Sequence, residues 1–299
     1  MIPLYNKRDY IVEAVHSVLA QTHPASELLV VDDGSTDGSA DLVRALGDER
    51  IRVVRQANAG VSAARNHGIR LAVGDLVAFL DADDRWHPEF LASVTGLAQR
   101  YPAAGLLCTG YARISPTGGR NEKSHPRFHA GQIGLVRDFY ADWARRSFTC
   151  TSAIAVPRHL LVTMDEPFPL GERLGEDQDL WFRLAEVAPV AYCNRPLADY
   201  RQEVAQSATQ SGPPADVLPC YRRLAARLAR GEVPVPLRKG AQRLLACHLI
   251  NLARQHARAG RPAQAASLLG DRRARANLPY WLRSRLWLAL QRRRIGPIA

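Results

Sequence analysis

The amino-acid sequence predicts an α/β fold in which a mostly parallel central sheet is flanked by helices. Short β-rich segments alternate with helical patterns through the first half of the 299-residue chain, and this alternation is typical of βα units. The predicted strands are continuous apolar runs, as expected for strands covered on both faces. Clustered aspartates follow two of them, at the edge where such sheets bind their ligands.

Four strands are predicted at residues 27–33, 51–56, 76–83 and 105–112, because each run is rich in Val, Leu or Ile and is bounded by Gly, Asp or Asn. Between them, Ile11, Val15 and Val18 recur at helical spacing. A second helix is predicted from "HPEFLASVTGLAQRY", with Pro88 at a plausible first helical position.

The composition changes after about residue 207. The stretch "QSGPPADVLP" is rich in Gly and Pro, and the segments that follow it read as successive helices. We therefore predict an α/β domain at 1–207 and a basic helical region at 208–299. The last segment, with Trp281, Trp287, leucines and a basic flank, could lie at a membrane interface or pack against the rest of the chain.

Bulk composition excludes several classes of protein. Hydrophobic residues make up 46% of the chain, yet no apolar run approaches the length that crosses a bilayer. The start lacks the apolar core of a signal peptide, so we expect a cytoplasmic protein. Five widely spaced cysteines without a CxxC pair indicate reduced thiols rather than disulfides or a zinc site.

The net charge of +11 is concentrated in the C-terminal third. Residues 1–199 carry 21 basic and 25 acidic side chains, whereas residues 200–299 carry 19 basic and 4 acidic ones. Such a region suits an anionic partner, either a membrane surface or nucleic acid, or it reflects arginine-rich solvated helices.

"VAFLDADDRWHP" places Asp81, Asp83 and Asp84 at the end of a predicted strand. Their mutual repulsion would be offset by a hard divalent ion such as Mg²⁺, which takes one or two protein carboxylates and completes its shell with water and phosphate oxygens. Alternate residues of an extended chain point the same way, which suits the D-x-D spacing. A solvated loop or helix cap is the alternative interpretation.

"VVDDGSTDGS" forms a second acidic strand end, at Asp32 and Asp33. A structural turn and a helix cap explain most of this pattern, but they do not require two successive aspartates. Further on, Arg65 begins a predicted helix and could face a phosphate or a carboxylate, or be an ordinary surface arginine.

Five segments together resemble the bacterial family 2 glycosyltransferases, which have the GT-A fold. They are "IPLYNKRDYIVEAVHSVLAQT", "LLVVDDGSTDGS", "NAGVSAARNHGI", "GDLVAFLDADD" and "GEDQDLWFRLA", in the family's order and approximate spacing. The resemblance covers about residues 2–207.

This resemblance implies a nucleotide-sugar site. Asp33 would bind the base, Asp81 would lie by the ribose and nucleotide, and Asp83 would hold Mg²⁺ or Mn²⁺ on the diphosphate with Asp84 adjacent. Arg65 would face the same donor. The loop after the first strand would line the nucleotide pocket with Pro3, Tyr5 and Asn6.

In the later acidic motif the resemblance implies that Asp177 is the catalytic base. The acceptor side would be shaped by Glu176, Asp179, Trp181 and Arg183. The implied reaction is inverting transfer of a sugar, with UDP-sugar as the expected donor, to a hydroxyl of a polysaccharide or lipid-linked acceptor in cell-surface glycan synthesis. The alternative explanation of this motif is purely structural, because the helix dipole favours acidic residues at the start of a helix.

Two departures from the family pattern stand out. Only Met1 and Ile2 precede Pro3, where relatives have a full apolar strand, so we expect either a short first strand or a start upstream of Met1. Some relatives also have a metal-binding histidine after a Tyr-Arg pair. None closely follows Tyr200 and Arg201.

Two other functions are weighed against glycosyl transfer. Nucleotidyl transfer onto a sugar phosphate would be expected to show a glycine-rich signature near the first strand, which "IPLYNK" lacks. Nucleic-acid binding through the basic region would leave the aspartates unexplained, and we expect no nucleic-acid partner. For that region we expect peripheral contact with the anionic inner face of the cell membrane.

Overall fold

A computed structural model of the chain describes residues 1–202, 204 and 216–294. The chain divides into two compact units. The first comprises Met1–Arg137 and Arg146–Ala208, and the second comprises Asp138–Arg145 and Thr209–Ala299. The boundary predicted between residues 207 and 208 lies outside the described residues. The short segment Asp138–Arg145 lies within the first domain predicted from composition but belongs to the same compact unit as the C-terminal helices.

The first unit begins with three parallel strands, β1 (Ile2–Leu4), β2 (Leu28–Asp32) and β3 (Ile51–Arg55), in the order β1-β2-β3. Every residue of β2 is buried, which explains the apolar run from Leu28 to Val31 that precedes Asp32. The connections carry the helices α1 (Ile11–Leu19), α2 (Ser39–Arg44) and α3 (Val61–Leu71). The predicted βα alternation is confirmed in this half.

The remaining strands form a mixed sheet in the order β4-β9-β6-β10-β5. They are β4 (Leu76–Ala78), β5 (Arg85–Trp86), β6 (Leu106–Ile114), β7 (Arg120–Lys123), β8 (Ile133–Val136), β9 (Ile154–Pro157) and β10 (Val190–Arg201). The strands β6 and β10 are parallel, whereas β9 runs antiparallel to both β4 and β6. The Leu80 amide donates to the Met1 carbonyl oxygen at 3.1 Å, which links β1 to the segment after β4.

The helices of the first unit pack apolar sides onto these sheets. In α1 the buried residues are Ile11, Ala14, Val15 and Val18, the spacing of one helical face. The helix α4 spans Phe90–Arg100, so Pro88 precedes it rather than opening it. Trp86 stacks on Phe90 with ring centroids 4.3 Å apart. Two further helices, α6 (Arg158–Val162) and α7 (Glu176–Val187), flank the later strands.

The second unit is helical, as predicted for the C-terminal region. Its helices are α5 (Phe139–Trp143), α8 (Pro219–Arg230), α9 (Arg238–Arg258), α10 (Pro262–Gly270) and α11 (Leu278–Arg294). The helix α5 packs against α9, and a Cβ at Gly240 would come within 2.3 Å of Asp138 Oδ1. Glycine is therefore required where these two segments approach. Across residues 1–202, 204 and 216–294, no helix combines the length and apolar character needed to cross a membrane.

Candidate active site

Most of the predicted site residues lie at the carboxyl ends of β1, β2 and β4 or in α7, and Arg65 lies in α3. The loop after β1 is tied to the loop after β2 by Asn6. The Asn6 amide donates to Ser35 Oγ at 3.1 Å, and Asn6 Oδ1 accepts from the Thr36 amide at 2.9 Å. Asn6 has a φ of +48°, a left-handed conformation that asparagine tolerates better than most residues. Tyr5 beside it is exposed, and Pro3 lies in β1 opposite Val31.

The two aspartates at the end of β2, Asp32 within the strand and Asp33 after it, are buried and already hydrogen-bonded within the protein. Asp32 Oδ1 accepts from the Ser35 amide at 2.8 Å. Asp33 Oδ1 accepts from Gln56 Nε2 at 2.7 Å and from the Ala59 amide at 2.9 Å, and Asp33 Oδ2 accepts from the Gly60 amide at 2.8 Å. Asp33 therefore anchors the 56–60 loop, a function that the sequence did not predict.

The aspartates after β4 differ from one another in exposure. Asp81 and Asp83 are partly exposed, whereas Asp84 is buried. Asp84 Oδ2 accepts from Ser152 Oγ at 2.5 Å, and Asp84 Oδ1 accepts from the Arg201 amide at 2.9 Å. In this structure Asp84 joins the end of β4 to the start of β9 and the end of β10. Its predicted contact with a metal stays a prediction.

Electrostatic repulsion within the triplet is visible in the pKa values. Burial and the neighbouring Asp81 raise the pKa of Asp83, while Lys7 lowers it in part. Burial together with Asp83 and Asp81 holds the pKa of Asp84 well above its ordinary value. Lys7 Nζ lies 3.2 Å from Asp83 Oδ2. Lys7 was not among the predicted residues, although its place directly after the Tyr-Asn pair could have indicated it.

Arg65 connects the two acidic motifs. Its side chain is buried at the start of α3, where Nη2 donates to Asp81 Oδ1 at 2.7 Å and Nη1 donates to Glu176 Oε1 at 2.9 Å. The guanidinium carbon also lies 5.1 Å from the centre of the Phe168 ring. Burial alone would lower the pKa of Arg65, but Asp81 and Glu176 raise it above its ordinary value. Arg65 is therefore a fixed cation rather than an ordinary surface arginine.

Asp177 lies in the first turn of α7, which begins after Gly175 at a φ of +84°. Asp177 Oδ2 accepts from Thr151 Oγ1 at 3.0 Å, and the side chain is half-buried. Burial and the adjacent Glu176 raise the pKa of Asp177 to about 7. A carboxylate with this pKa is suited to accept a proton near neutral pH. No sequence signal marked Thr151, because it lies outside the recognisable motifs.

Of the residues predicted for the acceptor side, Glu176 begins α7 and bonds Arg65, whereas the other three lie deeper in the helix. Asp179 and Trp181 are buried. Asp179 Oδ2 lies 2.9 Å from Arg183 Nε, and the Arg183 guanidinium donates to the carbonyl oxygens of Glu166 and Pro167. These side chains brace α7 against the segment before it, and their contact with an acceptor stays a prediction.

The carboxylates after β4 are chemically suited to a hard divalent ion. Within the described part of the chain, no three His, Cys, Asp or Glu side chains are grouped as a complete metal site. Mg²⁺ and similar ions do not need such a group when substrate phosphates and water complete the shell. Asp81 and Asp83 are the partly exposed members of the triplet. Burial and the neighbouring Asp81 raise the pKa of Asp83, and a cation bound there would offset both effects by favouring the charged carboxylate.

Comparison with known proteins gives consistent matches. A family model described as Glycosyl transferase family 2 matches residues 1–156, just over half of the chain. An uncharacterized glycosyltransferase of Rickettsia felis is 32% identical over 203 residues, which are 67% of this chain and 32% of that protein. The chain thus spans about a third of the length of this relative.

A second relative is covered more fully. The glycosyltransferase TuaG of Bacillus subtilis, whose name refers to teichuronic acid biosynthesis, is 34% identical over 203 residues, 67% of this chain and 76% of that protein. The crystal structure of S. aureus TarS 1–349 in complex with UDP-GlcNAc superimposes with a TM-score of 0.69 at 19% identity, over 92% of this chain and 80% of that chain. At that identity the likeness concerns the fold. These matches confirm the resemblance read from the motifs: the chain belongs to glycosyltransferase family 2 and has the GT-A fold.

Proposed function

We propose that this protein transfers a sugar from a nucleotide-diphosphate sugar, with UDP as the expected nucleotide, to a hydroxyl of a polysaccharide or lipid-linked acceptor, with inversion at the anomeric carbon. One observation carries the proposal. Arg65 bonds both to Asp81, in the motif after β4, and to Glu176, the neighbour of Asp177. The residues expected to hold the donor and the expected base are thereby joined in one cluster.

In the proposed reaction an acceptor hydroxyl oxygen attacks the anomeric carbon. Its proton passes to the Asp177 carboxylate, which is half-buried at the start of α7 and has a pKa of about 7. The bond from the anomeric carbon to the diphosphate oxygen breaks, and its electron pair leaves with the nucleoside diphosphate. Asp81 and Asp83 would hold Mg²⁺ or Mn²⁺, which when bound offsets the negative charge that develops on the leaving group.

The expected partners rest on the relatives. TuaG is named for teichuronic acid biosynthesis and the TarS structure contains UDP-GlcNAc, which supports a UDP-sugar donor and a cell-surface glycan as the product. The basic character of residues 208–299 supports peripheral contact with the inner face of the cell membrane, where a lipid-linked acceptor would be reached.

Calorimetric titration of UDP, with and without Mn²⁺ or Mg²⁺, tests the donor site. We expect metal-dependent binding to the wild-type protein and at least about a tenfold loss in Asp83→Asn, since a carboxylate is the ligand that a hard cation requires. Asp75→Asn, which changes an exposed aspartate outside the site, should bind as the wild type does. Binding that ignores both metal and Asp83, or no binding of UDP, GDP or dTDP, would contradict the proposed site.

Transfer itself is tested by incubating UDP-sugars with cell-envelope acceptors and following the anomeric proton by NMR. An α-linked donor should give a β-linked product. Retention of the donor configuration would exclude the single displacement described above.

A further inference from the structure

The last helix, α11, has two separate apolar sides. One side is used within the helical unit: Trp281, Ser284 and Leu288 are buried, and Trp281 Nε1 donates to the Leu269 carbonyl oxygen at 2.8 Å. This face fixes α11 to α10. The leucines on the rest of the helix are not needed for that packing.

The second side is a line of four leucines that face solvent. Leu278, Leu282, Leu286 and Leu290 are 51%, 53%, 63% and 52% exposed. They are spaced four residues apart, so with 3.6 residues per turn they form one stripe about 18 Å long and about 120° wide. The centre of this stripe lies roughly 150° around the helix from the buried face. We name these four residues the leucine stripe.

Arginines border the leucine stripe on both edges. On the same helical projection, Arg283 falls about 20° beyond one edge and Arg285 about 20° beyond the other, and both side chains are exposed. From residue 272 to residue 299 the sequence contains eight arginines and no acidic residue. The segment that carries the stripe therefore has positive charges and no negative side chain in its sequence.

This arrangement distinguishes between the surfaces that could cover the stripe. A second copy of the helix would bring arginine edges against arginine edges, and like charges brought together disfavour association. An anionic membrane matches both features, because leucines enter the boundary of the acyl chains while long arginine side chains reach the headgroups. Contiguous exposed apolar patches of this kind mark interaction sites in soluble proteins.

We propose that α11 lies in the interface of an anionic membrane, with the leucine stripe directed into the lipid and Arg283 and Arg285 at the headgroups. The leucine stripe would thus be the surface through which the basic region contacts the membrane. Only the biological purpose of that contact, access to a lipid-linked acceptor, rests on the proposed function. Attraction of the arginines alone would be lost in salt, whereas insertion of the leucines adds a contribution that salt does not screen.

Co-sedimentation of the full-length protein with vesicles tests the proposal without donor or acceptor. We expect binding to vesicles that contain phosphatidylglycerol and much weaker binding to phosphatidylcholine alone. The double variant Leu282→Asp, Leu286→Asp should bind anionic vesicles at least about tenfold more weakly, because two apolar side chains become charged within the stripe. Val235→Asp, a change at an exposed apolar residue of the same unit, should bind as the wild type does.

Several results would overturn the proposal. They are an absence of wild-type binding to anionic vesicles, equal binding by the leucine double variant, or light scattering that shows a wild-type dimer converted to a monomer by that variant. Because Leu282 and Leu286 are exposed, we expect the double variant to fold normally. A melting temperature close to that of the wild type would establish this. Metal-dependent UDP binding by the same samples keeps a failure here distinct from a failure of the proposed donor site.

Discussion

Lys7 Nζ and Asp83 Oδ2 form an ion pair at 3.2 Å, so a protein cation lies on the carboxylate expected to hold the metal. A divalent ion that binds Asp83 must displace this ammonium group or tolerate it nearby. The positive charge reduces the repulsion among the three aspartates, and it also competes with the metal for the same oxygen.

Replacing Lys7 should therefore strengthen metal binding in the absence of nucleotide. We expect Lys7→Met to bind Mn²⁺ about 3- to 10-fold more tightly than the wild type, because a competing cation is removed at close range. Electron paramagnetic resonance of free Mn²⁺ measures this directly. Lys239→Met, at an exposed position of the helical unit, is the matched control. Unchanged or weaker Mn²⁺ binding by Lys7→Met would show that the ion pair does not compete.

Arg65 should be required as arginine, not only as a positive charge. A lysine has one ammonium group and cannot reproduce the two directed bonds to Asp81 and Glu176. Breaking such a buried network costs about 3–5 kcal/mol when a charge is left without its partner. We expect Arg65→Lys to lose about 1–3 kcal/mol of unfolding free energy in urea and to weaken UDP binding. Arg70→Lys, on the exposed side of the same helix, should change neither.

Turnover should depend on the ionisation of Asp177. As a general base it works only when deprotonated, so kcat/KM should fall as the pH drops below about 7, the pKa of Asp177. Thr151 donates to the carboxylate and favours its charged form. Thr151→Val should thus move the midpoint of the profile up by about one pH unit. Thr163→Val serves as the control. A midpoint unchanged in Thr151→Val would show that this hydroxyl does not set the pKa, whereas a wild-type profile that does not fall near pH 7 would remove Asp177 from the role of base.

The same carboxylate should limit stability at alkaline pH. Its pKa is about 7 in the folded protein, against an ordinary value of 3.8. The folded state therefore holds a proton that the unfolded state has lost, and stability falls as the pH rises through this window. Asp177→Asn should raise the melting temperature at pH 8 and leave it nearly unchanged at pH 4, while lowering kcat by about 10² to 10⁴. A lower melting temperature at pH 8 would disagree with the raised pKa.

Cutting the chain at residue 207 should not release a stable catalytic domain. The segment Asp138–Arg145 belongs to the helical unit, where Phe139 and Tyr140 are buried and α5 packs against α9. A chain that ends at residue 207 lacks α9 and exposes these aromatic side chains. We expect it to aggregate on gel filtration, and we expect replacement of residues 138–145 by a Gly/Ser linker to reduce that aggregation. A monomeric 1–207 chain with the melting temperature of the full protein would support the boundary predicted from composition.

The strand ends could be predicted because their signals are local. β2 is apolar from Leu28 to Val31 since both faces are covered, it ends on the buried Asp32, and Asp33 follows immediately past the strand. β4 is shorter than the apolar run that predicts it. Beyond Ala78 the chain continues to bond, but with different partners: the Phe79 amide donates to Ile154 and the Leu80 amide donates to Met1. One apolar run therefore hydrogen-bonds first to β9 and then to Met1 before β1. A local sequence pattern does not show that the partner changes within the run.

The contacts that organise the site could not be predicted, because they join residues far apart in the chain. Arg65 and Glu176 are separated by 111 positions, and nothing in either motif specifies the other as a partner. Thr151 precedes β9, a strand that the sequence analysis did not identify. The packing of α5 against α9 also joins segments far apart in the chain. A five-residue helix has too short a hydrophobic pattern to show which core it packs into.

The Asp33 carboxylate orders the backbone at Ala59 and Gly60 through their amide protons. A nucleotide base that took one of these oxygens as its acceptor would compete with the loop for the same lone pairs. Base binding and loop opening would then be thermodynamically coupled. Binding of the base would change the equilibrium constant for loop opening by the same factor by which loop opening changes the affinity for the base. If the base displaced the Gly60 amide from Asp33 Oδ2, hydrogen exchange at that amide would become faster on binding, and the affinity for the base would be the intrinsic value reduced by the free energy of breaking that loop contact.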